Sequence, residues 1–120
     1  MSVEFTREDA VGTITLNRPP ANSYDYAFME ELRRAVDAAG EDGAARVVVL
    51  RSASERFFSG GADIKAFSDN SPDRNMEMCR LAHQTLGRIA QIPKVFIAQI
   101  QGHALGGGLE IALACDLRFG

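Results

Sequence analysis

Residues Gly102-His103-Ala104-Leu105-Gly106-Gly107-Gly108-Leu109-Glu110 join a predicted strand to a predicted helix. The apolar run before them, residues 95–100, is typical of a buried strand, and the apolar run after them predicts a helix from about residue 107 to residue 115. The first N–H groups of such a helix have no intrahelical acceptor and lie at its positive end. The turn therefore predicts a place where backbone amides bind an anionic oxygen.

A second segment has the same organisation. Phe58-Ser59-Gly60-Gly61-Ala62-Asp63-Ile64-Lys65 follows a short apolar run and places two glycines where the backbone bends. A reaction that passes through an enolate or a tetrahedral oxyanion needs two donors converging on one oxygen, so the two segments together favour such a site. The structural alternative is a pair of tight strand-to-helix turns. A nucleotide-binding loop is not supported, because Ile111 stands where GxGxxG requires its last glycine and no GxxxxGK[ST] occurs.

Glu110 is the one charged residue between positions 104 and 115. Its helical face continues through Leu113, Ala114 and Leu117, which predicts surroundings with little solvent. An ionised carboxylate there is costly without a partner or a wet cavity. We therefore predict a catalytic acid or base, the alternative being a structural carboxylate bonded to a neighbouring loop.

The rest of the chain predicts an α/β pattern over residues 1–120 with the order ββα–β–α–β–α–β, interpreted as the N-terminal part of a single domain. The predicted strands cover residues 3–6, 11–17, 46–51, 95–100 and 117 onward, and the other predicted helices cover residues 26–39 and 75–92. Residues 7–10 join the first two strands as a hairpin. Gly40 and Gly43 are expected to end the first helix and Pro93 the second. The runs 46–51 and 95–100 are expected to be strands buried on both faces.

Composition excludes several classes of function. The net charge is -3, from 16 acidic and 13 basic residues, which predicts no nucleic-acid partner and no membrane-binding face. The start of the chain lacks the pattern of a signal peptide, and two cysteines without such a signal predict reduced thiols in a cytoplasmic protein. No metal is expected, because the two histidines and two cysteines show no ligand spacing.

Several polar residues have simpler explanations. Asp63 is expected to cap the segment that begins at Ile64, and Asp116 to cap or pair at a strand start. His83 and His103 are isolated histidines, and Ser59 has no recognisable His and Asp partners, so a serine hydrolase is a poor interpretation.

Three motifs in order resemble the crotonase, or enoyl-CoA hydratase/isomerase, superfamily. They are residues 14–19 with Asn22, residues 58–65, and residues 102–110 continuing through 119. The resemblance spans nearly all of the chain and implies a crotonase-like superhelix of repeated ββα units, truncated here. It also implies assembly into trimers or hexamers and a natural chain roughly twice this length.

The resemblance implies roles for individual residues. The N–H groups of Ala62 and Gly107 would hold the thioester carbonyl oxygen. The segment Ala62, Asp63, Ile64 and Lys65 would lie against coenzyme A, with Lys65 as a phosphate partner. Coenzyme A would be part of the substrate, an acyl-CoA thioester, and no separate cofactor is expected.

Glu110 matches the first of two glutamates that hydratases of this superfamily use with water, and the second is expected beyond Gly120. The resemblance thus implies an enoyl-CoA hydratase of fatty-acid-type acyl-CoA degradation. The alternatives are an enoyl-CoA isomerase or other thioester-enolate chemistry, and a non-catalytic CoA-binding or assembly fragment. One departure is Ser23-Tyr24, which stands where the superfamily commonly has Ala-Leu.

Overall fold

The computed structural model describes residues 2–120 and confirms an α/β fold. The strands are β1 (Val3–Glu8), β2 (Val11–Leu16), β3 (Val47–Ser52), β4 (Phe57–Ser59), β5 (Val95–Gln99), β6 (His103–Ala104) and β7 (Leu117–Phe119). The helices are α1 (Tyr26–Glu41), α2 (Ile64–Asp69), α3 (Pro72–Gln91) and α4 (Gly107–Ala114).

The larger sheet has five strands in the order β1-β2-β3-β5-β7. The hairpin β1–β2 is antiparallel, with Val3 opposite Leu16, whereas β2, β3, β5 and β7 run parallel. Because parallel strands end at the same edge, the loops after β2, β3 and β5 come together there. Ligands of open α/β sheets bind outside the carboxyl ends of the strands, and the loops of the candidate site lie at this edge.

The core lies between this sheet and the helices α1 and α3. On α1 the fully buried residues Phe28, Leu32 and Val36 recur at helical spacing, as the sequence predicted. They belong to one cluster with sheet residues that include Leu50 and Phe96. Burying a side chain of this size contributes about 1.5–3 kcal/mol, so the cluster holds the loop-bearing edge in place.

The strands β3 and β5 are not buried on both faces, so that prediction was wrong. In β3 the fully buried Val48 and Leu50 alternate with half-buried neighbours, and in β5 Val95 is 41% exposed. The reason is that α1 and α3 cover one face, while the other face of these strands is only partly covered by residues 2–120. Buried and half-buried residues therefore alternate along these strands, whereas a strand covered by helices on both faces would be buried continuously.

Several predicted boundaries also need correction. Helix α1 continues through Gly40 to Glu41, and the Asp42 N–H donates to the Ala38 carbonyl at 3.0 Å. Helix α3 begins at Pro72 rather than at residue 75, because the Ser71 hydroxyl caps it by accepting from the N–H of residue 74.

The strand β4 before the first glycines was expected, but its pairing with β6 in a two-stranded parallel sheet was not predicted. The segment that begins at Ile64 forms the short helix α2, which was not predicted as a helix. The predicted cap of α2 is confirmed, since Asp63 accepts from the Ala66 N–H at 3.1 Å. Asp116 pairs at a strand start as expected and accepts from the Phe96 N–H at 2.9 Å. Within residues 2–120, no helix has the length and apolar character needed to cross a membrane.

Candidate functional site

The two glycine segments lie side by side. Strand β4 introduces the first segment and strand β6 belongs to the second, and the two strands pair with Phe57 opposite His103 and Ser59 opposite Ala104. The Leu105 N–H donates to the Ser59 carbonyl at 3.0 Å and extends this pairing toward the glycines. Segments more than forty residues apart in the sequence thus form one continuous surface.

The amide of Ala62 is the uncommitted donor of the first segment. The Gly60 N–H donates to the Ala21 carbonyl at 2.7 Å and the Gly61 N–H to the Ser59 hydroxyl at 3.1 Å. The N–H of residue 63 donates to the carbonyl of residue 24 at 2.8 Å. The Ala62 N–H, in contrast, donates to no acceptor among residues 2–120. It is therefore available to a ligand.

The amide of Gly107 is in the same situation at the start of α4. The next three N–H groups all have acceptors within the same segment. The Gly108 N–H donates to the Leu105 carbonyl at 2.8 Å, and the Leu109 and Glu110 N–H groups donate to the Gly106 carbonyl at 3.1 and 3.2 Å. No acceptor in the described part of the chain takes the Gly107 N–H. As the first residue of a helix, Gly107 carries its donor at the positive end of the helix dipole.

The two segments approach each other so closely that Gly61 has no room for a side chain. Its φ is +89°, and a Cβ there would lie 2.9 Å from the Leu105 carbonyl oxygen and 3.1 Å from the Gly107 nitrogen. Next to this contact, Ala62 and Gly107 line one cavity of about 210 Å³ together with Glu110. The structure therefore brings the three predicted catalytic residues to a single cavity.

Glu110 occupies the first turn of α4, but its surroundings differ from the prediction. The residue is exposed, and on its face Leu113 and Leu117 are 56% and 57% exposed. The prediction of a face with little solvent was wrong, because α4 packs mainly on α3, β4 and β6 within residues 2–120 and leaves this face uncovered. The carboxylate makes no ion pair or hydrogen bond with any described residue. It is a free acceptor at the cavity wall.

A larger groove of about 460 Å³ adjoins the first segment. All four residues predicted to lie against coenzyme A line it, and its other walls include the turn after β2. The groove is lined by Arg18, Pro19, Pro20, Ala21, Ser23, Phe57, Gly60, Ala62, Asp63, Ile64, Lys65 and Leu105. Ala62 lines both this groove and the smaller cavity, so the two spaces meet at its backbone.

The charged residues of the groove divide into engaged and free ones. Arg18 lies 3.3 Å from carboxylate oxygens of both Asp25 and Asp63, and it also donates to the Ser23 carbonyl at 2.6 Å. Asp63 thereby has a structural role, as helix cap and as partner of Arg18. Lys65 is exposed and forms no ion pair with any residue from 2 to 120. The ammonium group of Lys65 is thus the available cation.

A buried polar network holds the two segments in place. The side-chain amide of Asn22 donates to the Ser52 hydroxyl at 2.7 Å and to the Phe58 carbonyl at 3.0 Å. The Ser59 hydroxyl donates to the Asn22 carbonyl at 2.9 Å and accepts from the Gly61 N–H. The Ser59 hydroxyl is buried and both its donor and acceptor functions are used, which agrees with the interpretation that it is not a nucleophile.

The sequence interpretation missed the wall that faces Glu110. Helix α3 supplies it through Met78, Cys79, Ala82, His83 and Leu86, and the loop before α1 supplies Tyr24. The α3 residues recur at intervals of four, which places them on one helical face, but nothing in the sequence shows what that face meets. His103, the other isolated histidine, packs on Phe57 with ring centroids 5.4 Å apart.

Tyr24 carries a perturbed hydroxyl at this wall. Burial raises the pKa of the Tyr24 hydroxyl, and the neighbouring Glu110 and Cys79 raise it further. The hydroxyl therefore stays protonated at neutral pH. No three His, Cys, Asp or Glu side chains within the described range lie together as a metal site would require.

Comparison with known proteins decides the family. The profile of the family described as enoyl-CoA hydratase/isomerase matches residues 6–119. The chain belongs to the enoyl-CoA hydratase/isomerase family. The crotonase-type resemblance and fold class predicted from the sequence are thereby confirmed, because the match takes in both glycine segments and the intervening helices.

Family members with several reactions are similar to this chain. It is 36% identical over 118 residues to a probable enoyl-CoA hydratase of Bacillus subtilis, covering 98% of this chain and 45% of that protein. It is 33% identical over 122 residues to the ethylmalonyl-CoA decarboxylase of Danio rerio, covering 98% of this chain and 40% of that protein. The chain thus spans less than half the length of these relatives.

The solved structures agree in fold. The crystal structure of an enoyl-CoA hydratase from Bacillus anthracis superposes with a TM-score of 0.92 at 35% identity, covering 98% of this chain and 46% of that one. This superposition shows that residues 2–120 have the family fold. It does not identify the reaction, because the relatives are named for different reactions.

Proposed function

We propose that the protein carrying this chain is an enoyl-CoA hydratase, which adds water to a 2-enoyl-CoA thioester in acyl-CoA degradation of the fatty-acid type. One observation carries the proposal: the Ala62 and Gly107 amides, neither of which has an acceptor within residues 2–120, line one cavity with the unpaired carboxylate of Glu110. Two donors for the thioester oxygen and a carboxylate for the water are groups that conjugate addition of water to a thioester uses.

The two amides would stabilise the charge that develops on the thioester oxygen. When water adds at C3, the electron pair of the double bond moves toward the carbonyl oxygen and forms an enolate. Amides fixed by the folded backbone need no reorganisation to bind that oxygen. Each such donor contributes about 2.7–4 kcal/mol to the transition state, so the pair would supply a large part of the rate enhancement.

Glu110 would handle the proton of the attacking water. Its carboxylate accepts one proton as the water oxygen bonds to C3, and the protonated Glu110 then gives that proton to C2 of the enolate. The carboxylate is regenerated, and the net change is addition of H and OH across the double bond. Its exposure and lack of a partner in the described chain support this role, because its oxygens are free to accept a hydrogen bond from water.

The groove along residues 62–65 would bind coenzyme A. The meeting of groove and cavity at Ala62 supports a thioester that lies at this residue, with the acyl chain in the cavity and the CoA portion in the groove. Lys65 would pair with a phosphate, since Arg18 is already engaged by two carboxylates. The overall net charge of -3 makes such a local cation necessary for a polyanionic ligand.

An isomerase is the second candidate, because a single carboxylate can move a proton between C2 and C4 of a 3-enoyl thioester. The uncommitted Glu110 suits that reaction as well, and the name of the family includes both hydratases and isomerases.

The deciding experiment uses the natural full-length protein with 2-hexenoyl-CoA and with 3-hexenoyl-CoA. Hydratase activity removes the absorbance of the conjugated enoyl thioester from the first substrate and forms 3-hydroxyhexanoyl-CoA. Isomerase activity instead creates that absorbance from the second substrate. Tight binding of both compounds with no chemical change would refute the hydratase and the isomerase and favour a CoA-binding protein.

A further inference from the structure

The Tyr24 phenol lies at the first residue of α4. A Cβ on Gly107 would lie 2.6 Å from the Cζ and 2.7 Å from the Cε2 of Tyr24, and it would overlap the phenol oxygen. With the Tyr24 ring in this position, there is no room for a side chain at residue 107. The Tyr24 hydroxyl is therefore a neighbour of the Gly107 backbone, and both residues line the same cavity.

The backbone of Tyr24 fixes the phenol relative to the other donor of the cavity. The Tyr24 N–H donates to the Gly61 carbonyl at 2.9 Å, and the Tyr24 carbonyl accepts from the Asp63 N–H at 2.8 Å. These two bonds bracket Ala62, with which Tyr24 forms a parallel bridge. Tyr24 thus contacts both segments that carry an uncommitted amide.

The hydroxyl itself is uncommitted. It donates to no acceptor within residues 2–120, although the ring is half-buried. Burial, reinforced by Glu110 and Cys79, raises its pKa, so the group is a hydrogen-bond donor at neutral pH. The hydroxyl is not among the buried polar atoms that lack a partner in the described chain, so it is open to the cavity and accessible to a ligand oxygen.

We propose that Tyr24 is a third donor of the oxyanion site, whose O–H donates to the same thioester oxygen as the Gly107 amide. The inference rests on the proposed function, since it names a further group that contacts the reacting atoms. An enolate oxygen has more lone-pair capacity than two amides use, and a phenol next to one of those amides can reach it.

The test compares Tyr24→Phe with the unmodified full-length protein. The variant keeps the ring that fills the space at Gly107 and removes only the hydroxyl. We expect kcat for hydration of crotonyl-CoA to fall about 10- to 100-fold, as for loss of one hydrogen bond to a charged group. Affinity for butyryl-CoA, which cannot form the conjugate-addition enolate, should change less than about twofold, because a hydrogen bond to the uncharged thioester oxygen contributes much less than one to the enolate.

Acetoacetyl-CoA provides a readout that a space-filling role would not move. Its 3-keto group lets it enolise, and the bound enolate has its own ultraviolet absorbance. Removing a donor to the enolate oxygen should raise the apparent pKa for enolisation of the bound compound and lower the enolate fraction at a given pH. Circular dichroism melting of the variant establishes that it is folded.

Tyr26→Phe is the matched control, since the chain has two tyrosines. The Tyr26 ring packs under the Arg74 guanidinium, 3.9 Å from its carbon, outside the cavity. Loss of the Tyr26 hydroxyl should leave both kcat and the enolate fraction unchanged.

The outcomes separate the two proposals. Unmodified protein that hydrates crotonyl-CoA, together with a folded Tyr24→Phe variant of equal kcat and equal enolate fraction, refutes the role of Tyr24 and leaves the hydratase standing. A variant that changes only the acid limb of the pH profile places the hydroxyl on Glu110 instead and also overturns the proposal. Unmodified protein that neither hydrates crotonyl-CoA nor binds acetoacetyl-CoA overturns the proposed function, and the inference falls with it.

Discussion

Replacing Gly61 by alanine is expected to weaken both the fold and the site. Gly61 has a φ of +89°, where an L-residue costs about 1–2 kcal/mol. The new Cβ would also lie 2.9 Å from the Leu105 oxygen and 3.1 Å from the Gly107 nitrogen, and overpacking costs about 1–3 kcal/mol more. Both neighbours are backbone atoms, so no rotamer change relieves the contact. The two effects predict a loss of about 2–5 kcal/mol in the free energy of unfolding.

Activity should fall further than stability requires. Pushing the Gly107 nitrogen away from its position misplaces one donor of the oxyanion site, and a misplacement near 1 Å can cost about 10²-fold in rate. The assay is kcat/KM for crotonyl-CoA under conditions where urea titration shows the Gly61→Ala full-length protein to be folded.

Gly87→Ala is the matched control for the added methyl group. Gly87 lies within α3, and a Cβ there meets nothing within 4 Å. We expect a gain of about 0.5–1 kcal/mol from higher helix propensity and no change in activity. A Gly61→Ala protein as stable and as active as the unmodified one would refute the close approach of the two segments.

Three further predictions concern the proton transfer, the buried network and the thiols. Glu110→Gln in the full-length protein should lower hydration about 10²–10⁴-fold, the usual contribution of a general acid or base, with butyryl-CoA affinity retained; full activity would make the residue structural. Asn22→Ala removes the amide that donates to the buried Phe58 carbonyl and to the Ser52 hydroxyl, and it should lower the free energy of unfolding by about 1–3 kcal/mol in a urea titration; an unchanged midpoint would contradict the network. Cys79 is exposed and lines the cavity, while burial raises the pKa of the Cys115 thiol to about 12. A thiol reagent at pH 8 should therefore label Cys79 before Cys115, and bound butyryl-CoA should slow the labelling of Cys79. Labelling of Cys115 in the folded protein would contradict the burial of that thiol.

The parts of the fold that the sequence predicted are those with a long periodic pattern. Helix α1 repeats apolar residues over four turns, and the hairpin β1–β2 alternates around a short turn. Helix α2 was missed because it has six residues and none is buried, so it has no apolar period to detect. Strand β6 has two residues and exists because β4, far away in the sequence, pairs with it.

The candidate site divides in the same way. The glycines before the apolar helix α4 could be recognised locally, whereas the roles of the individual Ala62 and Gly107 amides followed from the resemblance to the superfamily. The structure places both residues on one cavity. The exposure of Glu110 could not be predicted, because helical spacing defines a face but not what covers it. The position of Tyr24 depends on how the loop after β2 pairs with residue 62, and loop pairing leaves no periodic signal.

The central claim is that the Ala62 and Gly107 amides polarise the thioester carbonyl, and isotope-edited infrared spectroscopy measures that polarisation directly. Crotonyl-CoA labelled with ¹³C at the thioester carbonyl would be bound to the full-length Glu110→Gln protein, in which turnover is slow. Two convergent donors should weaken the carbonyl bond and move its stretching band to a lower frequency than in water. Adding Gly61→Ala to the Glu110→Gln protein should reverse most of this shift. A bound carbonyl that absorbs at or above its frequency in water would contradict the account.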